Sequence, residues 1–278
     1  MKWRVAMVVA VVFMAGGGVA LSLAKWPAGV QLQTDRGLEA IASCDLGLPP
    51  VGGEPLPLPL SVVVWNMQKR GGESDGRKEL EALARRTDLF LLQEATALLP
   101  APLPSMQQLE AFSYAGESYG VGALASRSLA RPCGLLTPEP LLRLPKSALM
   151  WRQPLIDGRV LLIINVHSIN FDWRLSTYTA WLDALGALVA AHTGPVLLAG
   201  DFNTWNDRRL QALNRWASDL GMVEARFEPD NRVRHLGHAV DTVWVRDLRI
   251  LVTGSAAVSY ADHNPLWITV DRQPLAEP

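Results

Sequence analysis

Cysteine is scarce in this sequence, with two residues among 278. Neither belongs to a Cys-x-x-Cys pair or a Cys/His cluster, so the common structural zinc sites are disfavoured. Cys44 and Cys133 suit an exported protein with one disulfide, and they equally suit two separate buried thiols. The sequence leaves both alternatives open, because it does not give the distance between the two residues.

An excess of positive charge is also missing. Lys and Arg total 26 and Asp and Glu total 27, which gives a formal net charge of −1. Proteins that wrap nucleic acid regardless of its sequence carry a basic excess, so that class is disfavoured. A protein that touches only a few phosphates is compatible with this balance. No internal repeat recurs at a fixed period, which argues against solenoids and propellers.

A long uncharged run lies near the N-terminus. Residues 5–24 are 20 mostly apolar residues without a charge, and Lys2 and Arg4 precede them. The run is long enough to span a bilayer, and the positive flank predicts export of the remainder. Ser22-Leu23-Ala24 also resembles a cleavage site, so a removable signal peptide and an uncleaved anchor both fit residues 1–24. We therefore expect either an inner-membrane anchor with the folded part on the extracytoplasmic side, or secretion after cleavage.

The rest of the chain divides by composition into three parts. Residues 25–60 are rich in Pro and Gly and are predicted to be an extended connector, with one short helix over 35–43. Residues 61–271 alternate strand and helix patterns, and residues 272–278 form a tail. Predicted strands cover 61–66, 88–95, 119–126, 147–153, 159–168, 195–200, 239–246, 248–259 and 264–270; predicted helices cover 75–86, 172–192 and 207–221. This order indicates an α/β layered fold with a mixed sheet or sheets.

Polar residues gather at the ends of the apolar strands. Each lies where an α/β protein places ligands and catalytic groups, and strands of alternating direction bring their starts and ends to one edge. These residues are Asn66, Glu94, His167, Asp201, Asn203, Asp241, Asp262 and His263. A single residue of this kind is an ordinary strand terminator, but a set restricted to carboxylate, amide and imidazole groups predicts a functional site.

The oxygen donors of this set indicate a hard cation. Glu94, Asp262 and Asn66 offer carboxylate and amide oxygens without a thiolate, which suits Mg²⁺ and also Mn²⁺. Both cations keep bound waters and share the oxygens of a phosphate substrate. We therefore predict a metal site at these three residues.

The remaining groups predict proton transfer. His167 and His263 ordinarily titrate near neutral pH, which suits general acid–base chemistry, and Asp201 can deprotonate a water. The Asn203 amide can hold a phosphoryl oxygen, and Asp241 can fix the tautomer of His263. Together with a metal, these roles describe hydrolysis of a phosphate ester by in-line attack of water.

Six motifs in order, "WNMQK", "LLQEA", "VHS", "AGDFN", "VDTVWV" and "ADHNPL", resemble the endonuclease/exonuclease/phosphatase superfamily, which has the DNase I-like fold. The resemblance covers roughly residues 60 to 271. Three longer segments, "LVTGSAAVSYADHNPL", "LLRLPKSAL" and "NVHSINFDW", are similar to a bacterial YafD-like group. The resemblance implies a four-layer α/β sandwich, in which two packed mixed β-sheets are flanked by helices. It also implies Mg²⁺-dependent phosphoesterase activity, with the roles given above for the eight residues at the strand ends.

The resemblance extends to several further positions. Ala261 departs from the family, which usually carries Ser before "DH", but no essential group is lost. Lys146 matches a basic position near the substrate phosphate, and Glu117 is a candidate acid partner for His167. Arg208 and Trp205 follow "DFN" and are predicted to contact substrate, Trp205 by stacking on a base or a lipid.

The substrate class is left open by these motifs. Nucleic acid, a phospholipid head group and a small phosphate ester are all compatible with the superfamily, and no obligatory protein partner is evident. Two competing hypotheses exist. A dinuclear metallophosphoesterase is disfavoured by the low count of five histidines. A membrane-tethered, non-catalytic binding module is disfavoured because none of the expected acids or histidines is missing.

Overall fold

The computed structural model of the protein describes residues 24–25, 27–67, 74–97, 101–259 and 261–273. In chain order, the strands are β1 (Gln31–Thr34), β2 (Gly37–Ala40), β3 (Leu60–Asn66), β4 (Leu89–Thr96), β5 (Ser105–Tyr114), β6 (Glu117–Ala125), β7 (Cys133–Pro138), β8 (Pro145–Pro154), β9 (Val160–His167), β10 (Val196–Asp201), β11 (Val223–Glu224), β12 (Arg234–His235), β13 (His238–Ala239), β14 (Asp241–Arg246), β15 (Leu248–Ser255) and β16 (Leu266–Arg272). The helices are α1 (Ser74–Ala84), α2 (Ser176–Ala191) and α3 (Asp207–Asp219).

The larger strands form two mixed sheets. The first has eight strands in the order β15-β16-β3-β4-β6-β5-β1-β2, and the second has six in the order β11-β14-β10-β9-β8-β7. Each sheet contains one parallel pair, β3 with β4 and β9 with β10, among antiparallel neighbours. Strands β12 and β13 form a separate small hairpin. The predicted mixed α/β architecture is confirmed.

Alternation along the strands explains the layers. In β3, Val62 and Val64 face the second sheet, whereas Val63 and Trp65 face α1. In β9, Ile163 packs between the sheets, while its neighbours on either side pack against α2 and α3. Because side chains alternate between the faces of a strand, a strand buried on both faces reads as an unbroken apolar run. The result is the predicted four-layer arrangement of helix, sheet, sheet and helix.

The segment before β3 differs from the prediction. The short helix expected over 35–43 is absent; residues 31–40 instead form the hairpin of β1 and β2, which extends the eight-stranded sheet beyond β5. Gly37, the first residue of β2, follows the turn and has a positive φ of 115°, which glycine adopts without strain. Pairing with β1 outweighs the local helix preference of Leu38 to Ala40. Part of the predicted connector therefore belongs to the sheet, and strands β5 and β7 were also missed by the sequence patterns.

Cys44 and Cys133 form a disulfide, with Cα atoms 5.0 Å apart across a sequence separation of 89 residues. The bond joins a short 3₁₀ turn, Cys44–Leu46, to the start of β7. Of the two alternatives left open by the sequence, the structure therefore shows the disulfide. The predicted targeting segment, residues 1–24, lies outside the described residues except for its last position. No helix in the described part of the chain is both long and apolar enough to cross a membrane.

Candidate active site

One edge of the two packed sheets carries the predicted polar residues. Strands β3, β4, β9 and β10 all end there, and β14 begins there because it runs antiparallel to β10. Within the second sheet, Asp201 lies directly between His167 of β9 and Asp241 of β14 in the strand register. Ordinary sheet pairing therefore brings together three residues that are far apart in sequence.

Local irregularities of the backbone position two of the polar side chains. Gln93 and Glu94 together oppose Val121 in a β-bulge, and Glu94 has a φ of 49°. Asn203 has a φ of 50° directly after β10. Left-handed backbone at residues other than glycine is uncommon and costs energy, and it concentrates at functional sites. The two deviations occur on different sheets and both lie at the same edge.

Asp201 is the centre of the arrangement. Its Oδ2 accepts a hydrogen bond from Asn66 Nδ2 at 3.1 Å and lies 3.6 Å from His167 Nε2 and 4.0 Å from His263 Nε2. Its Oδ1 accepts from the backbone N–H of Asn203 at 2.8 Å. Burial, followed by the negative charge of Asp241, raises the pKa of Asp201 to about 6. Such a carboxylate is a stronger base than an exposed aspartate and is still ionised at neutral pH.

His263 and Asp241 form a buried pair. His263 Nδ1 lies 2.6 Å from Asp241 Oδ2. Burial alone lowers the pKa of His263, but the negative charge and hydrogen bond of Asp241 dominate and raise it to about 10. The imidazole is therefore protonated at neutral pH, with its Nε2–H available toward Asp201 and the cavity. The predicted pairing of Asp241 with His263 is present in the structure.

This pairing predicts a loss of stability in alkaline solution. The pKa of folded His263 lies above the value of 6.5 for an unfolded histidine, so its stabilising contribution is complete below pH 6.5 and disappears as the pH rises through about 10. In EDTA, the free energy of unfolding is expected to fall by a few kcal/mol between pH 7 and pH 10. Urea titrations of wild type and His263→Gln measure this dependence. Parallel pH profiles for the two proteins would contradict the assigned pair.

Lys146 and His167 form a second contact at the site. Lys146 Nζ lies 2.6 Å from His167 Nε2, a geometry in which the ammonium donates to a neutral imidazole. Glu139 Oε1 lies 3.8 Å from Lys146 Nζ and accepts from the backbone N–H of Asn170 at 2.9 Å. Burial raises the pKa of Glu139, against the opposing charge of Lys146. Lys146 is thus held beside a catalytic candidate, rather than extended into solvent.

The acid near His167 differs from the prediction. Glu117 is exposed, and its carboxylate accepts a hydrogen bond from the Tyr119 hydroxyl at 2.8 Å. The carboxylates measured near His167 and Lys146 are those of Asp201 and Glu139. Glu139 was missed because it lies in a proline-containing loop, without a strand pattern to mark it. Its near-complete burial, at 2% exposed, is a property of the tertiary structure alone.

A cavity of about 440 Å³ opens at this edge and contains most of the predicted residues. It is lined by Asn66, Glu94, Lys146, His167, Asn170, Phe171, Trp173, Asp201, Asn203, Trp205, His235, Leu236, Asp262 and His263. Asp241 lies beneath His263, and the Nδ2 of Asn203 donates to the Ser168 carbonyl at 3.0 Å. A smaller side cavity of about 230 Å³, lined in part by Phe112 and Tyr119, shares the wall formed by Glu94, Lys146 and His167.

Trp205 and Arg208, which were both predicted to contact substrate, lie in different environments in the structure. Trp205 lines the cavity, and its indole N–H donates to Asn170 Oδ1 at 2.9 Å. Arg208 is exposed on α3 and is not among the residues that line the cavity. The next residue, Arg209, is buried instead. Its guanidinium donates to the carbonyl oxygens of Asn203 at 2.6 Å and Asn170 at 3.0 Å, and so holds together the two loops that carry the site.

The spacing of the buried residues in α3 explains why Arg209, and not Arg208, is buried. Arg209, Leu213 and Ala217 recur at intervals of four residues and are the buried residues of the helix. Such spacing places side chains on one face of a helix. Arg208 therefore faces solvent for the same reason that Arg209 faces the core.

The donor set fits a divalent cation. Asn66, Glu94 and Asp262 lie on the wall of the same cavity and offer the hard oxygens that Mg²⁺ and Mn²⁺ prefer. A second group, Asp201, Asp241 and His263, has ligand atoms within 4.8 Å of one another. We favour the first set, because the 2.6 Å contact between His263 and Asp241 leaves no room for a cation between them.

Comparison with known proteins agrees with this geometry. The model of the Endonuclease/Exonuclease/phosphatase family matches residues 63–267, and the chain belongs to this family. A UPF0294 protein of Yersinia pestis is 40% identical over 239 residues, covering 82% of this chain and 90% of that protein. Such relatives confirm the resemblance to the YafD-like group.

Solved structures support the fold. A family member from Bacteroides vulgatus superposes with a TM-score of 0.57 at 14% identity, covering 77% of this chain and 99% of that one. A mannosyl-6-phosphatase from Bacteroides thetaiotaomicron superposes with a TM-score of 0.55 at 14% identity, covering 76% and 99%. Both likenesses concern the sandwich as a whole and confirm the DNase I-like architecture.

Proposed function

We propose that the protein is a Mg²⁺-dependent phosphoesterase that hydrolyses a phosphodiester or phosphomonoester by attack of an activated water. The observation that carries the proposal is the position of Asp201. Its carboxylate is buried at the base of an open cavity, within 4.0 Å of the Nε2 atoms of both His167 and His263. A base, two imidazoles and a set of oxygen donors therefore share one space large enough for a phosphate ester.

The chain's own groups supply complementary proton chemistry. Asp201, with a pKa of about 6, accepts a proton from a water in the cavity at neutral pH. His263, kept protonated by Asp241, donates a hydrogen bond from Nε2 to a phosphoryl oxygen and stabilises the charge that develops there. The side-chain amide of Asn203 lies beside Asp201 to hold another oxygen of the same group.

The other side of the cavity favours binding of an anion. The ammonium of Lys146 offers a positive charge to the phosphate and sets the orientation of the His167 ring. Asn66, Glu94 and Asp262 would hold the divalent cation, which supplies Lewis-acid polarisation of the phosphoryl oxygen when bound.

The test is hydrolysis by the full-length protein in detergent. The substrates are bis(p-nitrophenyl) phosphate, p-nitrophenyl phosphate, a supercoiled plasmid and a phosphatidylglycerol micelle. Activity is expected on at least one of them, to vanish in EDTA, and to return with Mg²⁺ or Mn²⁺. His263→Gln is expected to lower the rate about 100-fold or more. His238→Gln is the matched control, because His238 does not line the cavity.

Two results would contradict the proposal. A rate unaffected by EDTA would exclude the cation site. Equal rates for His263→Gln and His238→Gln would show that the hydrolysis does not occur in this cavity.

A further inference from the structure

An apolar rim borders the mouth of the active-site cavity. Leu236 is 81% exposed and Trp173 is 67% exposed, although both residues line the cavity. Trp173 packs edge-to-face against Trp205, with ring centroids 5.2 Å apart, so the ring is oriented while most of its surface remains in solvent. We call Leu236, Trp173 and the half-buried Phe171 the cavity rim.

Leu236 occupies a position that leucine does not favour. It is the first residue of the two-residue turn between β12 and β13, with a φ of 50°, and Gly237 follows with a φ of 90°. A hairpin turn with two positive φ values favours Asn-Gly or Gly-Gly. A leucine at this point adds backbone strain and exposes an apolar side chain without packing it inside the protein. An external apolar partner would compensate for both costs.

Lys25, which follows the N-terminal apolar run in the sequence, joins the folded domain at the same edge. Lys25 pairs with Ser113, each backbone N–H donating to the other residue's carbonyl at 2.8 and 2.6 Å. Ser113 lies near the end of β5, next to Phe112 of the side cavity, at the edge where β4 carries Glu94. Lys25 precedes β1 in the chain, and β1 lies three strands away from β4 in the order of the sheet. At the usual spacing between strands, β1 and β4 are about 14 Å apart.

We propose that the cavity rim docks on a phospholipid bilayer, the same bilayer that receives the apolar run of residues 5–24. Two independent observations meet at one edge of the domain: exposed apolar side chains around the cavity mouth, and the pairing of Lys25 with Ser113 at the same edge of the eight-stranded sheet. Tryptophan belongs to the residues enriched at bilayer interfaces, and exposed Arg174 follows Trp173 to meet lipid phosphates.

This arrangement specifies a substrate class and rests on the proposed function. A cavity that opens directly onto a bilayer receives a phosphate ester presented at the lipid surface, which is a phospholipid head group. The Lys146 and His263 side chains lie inside the cavity mouth, where they meet the phosphate after the rim has entered the interface. Nucleic acid in solution would gain no binding free energy from the exposed apolar side chain of Leu236.

The test locates two exposed side chains relative to the lipid. Full-length protein is reconstituted into vesicles of phosphatidylcholine and phosphatidylglycerol in a three-to-one ratio, with a nitroxide at Leu236→Cys or at Ile156→Cys. Ile156 is the matched control, because it is 61% exposed but follows β8 at the opposite end of the sheets. Both native cysteines are in the disulfide and do not compete for the label. Power-saturation EPR with oxygen and a polar nickel chelate reports the depth of each label.

The label at Leu236 is expected to be accessible to oxygen and protected from the chelate, and the label at Ile156 to show the reverse. Trp173→Cys provides a second probe on the cavity rim. Labels at Leu236 and Trp173 that are as accessible to the chelate as the label at Ile156 would overturn the proposal. Because EPR depth does not depend on turnover, a lipid-embedded rim in a protein without hydrolase activity would refute the proposed function and leave the docking surface standing.

A kinetic comparison completes the test. Leu236→Asp is expected to lower the ratio of vesicle-lipid to soluble-diester hydrolysis roughly tenfold or more, since an apolar contact with lipid is lost. Ile156→Asp is expected to leave this ratio unchanged. Equal ratios for the two variants would refute docking through the rim.

Discussion

Asp201→Asn is expected to lower kcat/KM about 1,000-fold or more while the protein remains folded. The amide cannot accept a proton from water at neutral pH, so the base at the centre of the cavity is lost. Its carbonyl oxygen can still accept the hydrogen bond from the Asn203 backbone N–H, which the carboxylate accepts at 2.8 Å. Hydrolysis of the best substrate from the panel, with thermal unfolding of the same samples, measures both effects.

The stability measurement separates catalysis from folding. Burial raises the pKa of Asp201 to about 6, so the ionised carboxylate is itself unfavourable in the folded state. Removing its charge relieves this cost, but the new amide N–H₂ faces the Nδ2 donor of Asn66, so the two effects oppose each other and the melting temperature is expected to change little. Asp219→Asn, at the exposed end of α3, is the matched control and is expected to retain wild-type kinetics. A stable Asp201→Asn protein with nearly normal kcat/KM would refute the assignment of Asp201 as the base.

Gly200→Ala is expected to destabilise the protein by about 4 kcal/mol or more, or to prevent recovery of folded protein. Gly200 precedes Asp201 in β10 and has a φ of 139°, where an L-residue is strained. A Cβ atom at this position would also overlap the carbonyl oxygen of Val166 on the neighbouring strand β9. Relief would require the parallel pair of β9 and β10 to separate next to the site. Urea denaturation and soluble yield measure the loss.

Substitutions at two further glycines separate the two causes of this effect, backbone strain and close packing. Gly158 has a φ of 84°, but a Cβ atom there would meet no neighbouring atom within 4 Å, so Gly158→Ala reports the backbone strain alone, about 1 kcal/mol. Gly29 has neither constraint, and Gly29→Ala is expected to be nearly neutral. If Gly200→Ala cost no more than Gly158→Ala, close packing of β9 against β10 would not be the reason for this glycine.

The apolar patterns predicted a layered α/β fold with a mixed sheet or sheets, and the family resemblance supplied the four-layer arrangement. Runs such as "SVVVWN" and "RVLLIINVH" are buried on both faces, which requires material on each side of each sheet. The polar residues at the strand ends could also be recognised from the sequence, because an acid or amide that recurs after several apolar runs has few explanations other than a functional site. The hairpin of β1 and β2 could not be predicted from the sequence. The residues of β2 favour a helix locally, and they become a strand by pairing with β1, which itself pairs with β5.

The sequence by itself determined most of the strand and helix pattern of residues 61–271, with β5 and β7 as exceptions. It also determined the residue types of the site and the order in which they recur along the chain. Only the tertiary structure decided which groups touch. It joined Cys44 to Cys133, buried Arg209 where Arg208 had been predicted to act, and placed Glu139 beside Lys146. The physical reason is that periodicity reports which face of a strand or helix is buried, whereas a contact between loops depends on how separate strands meet at one edge.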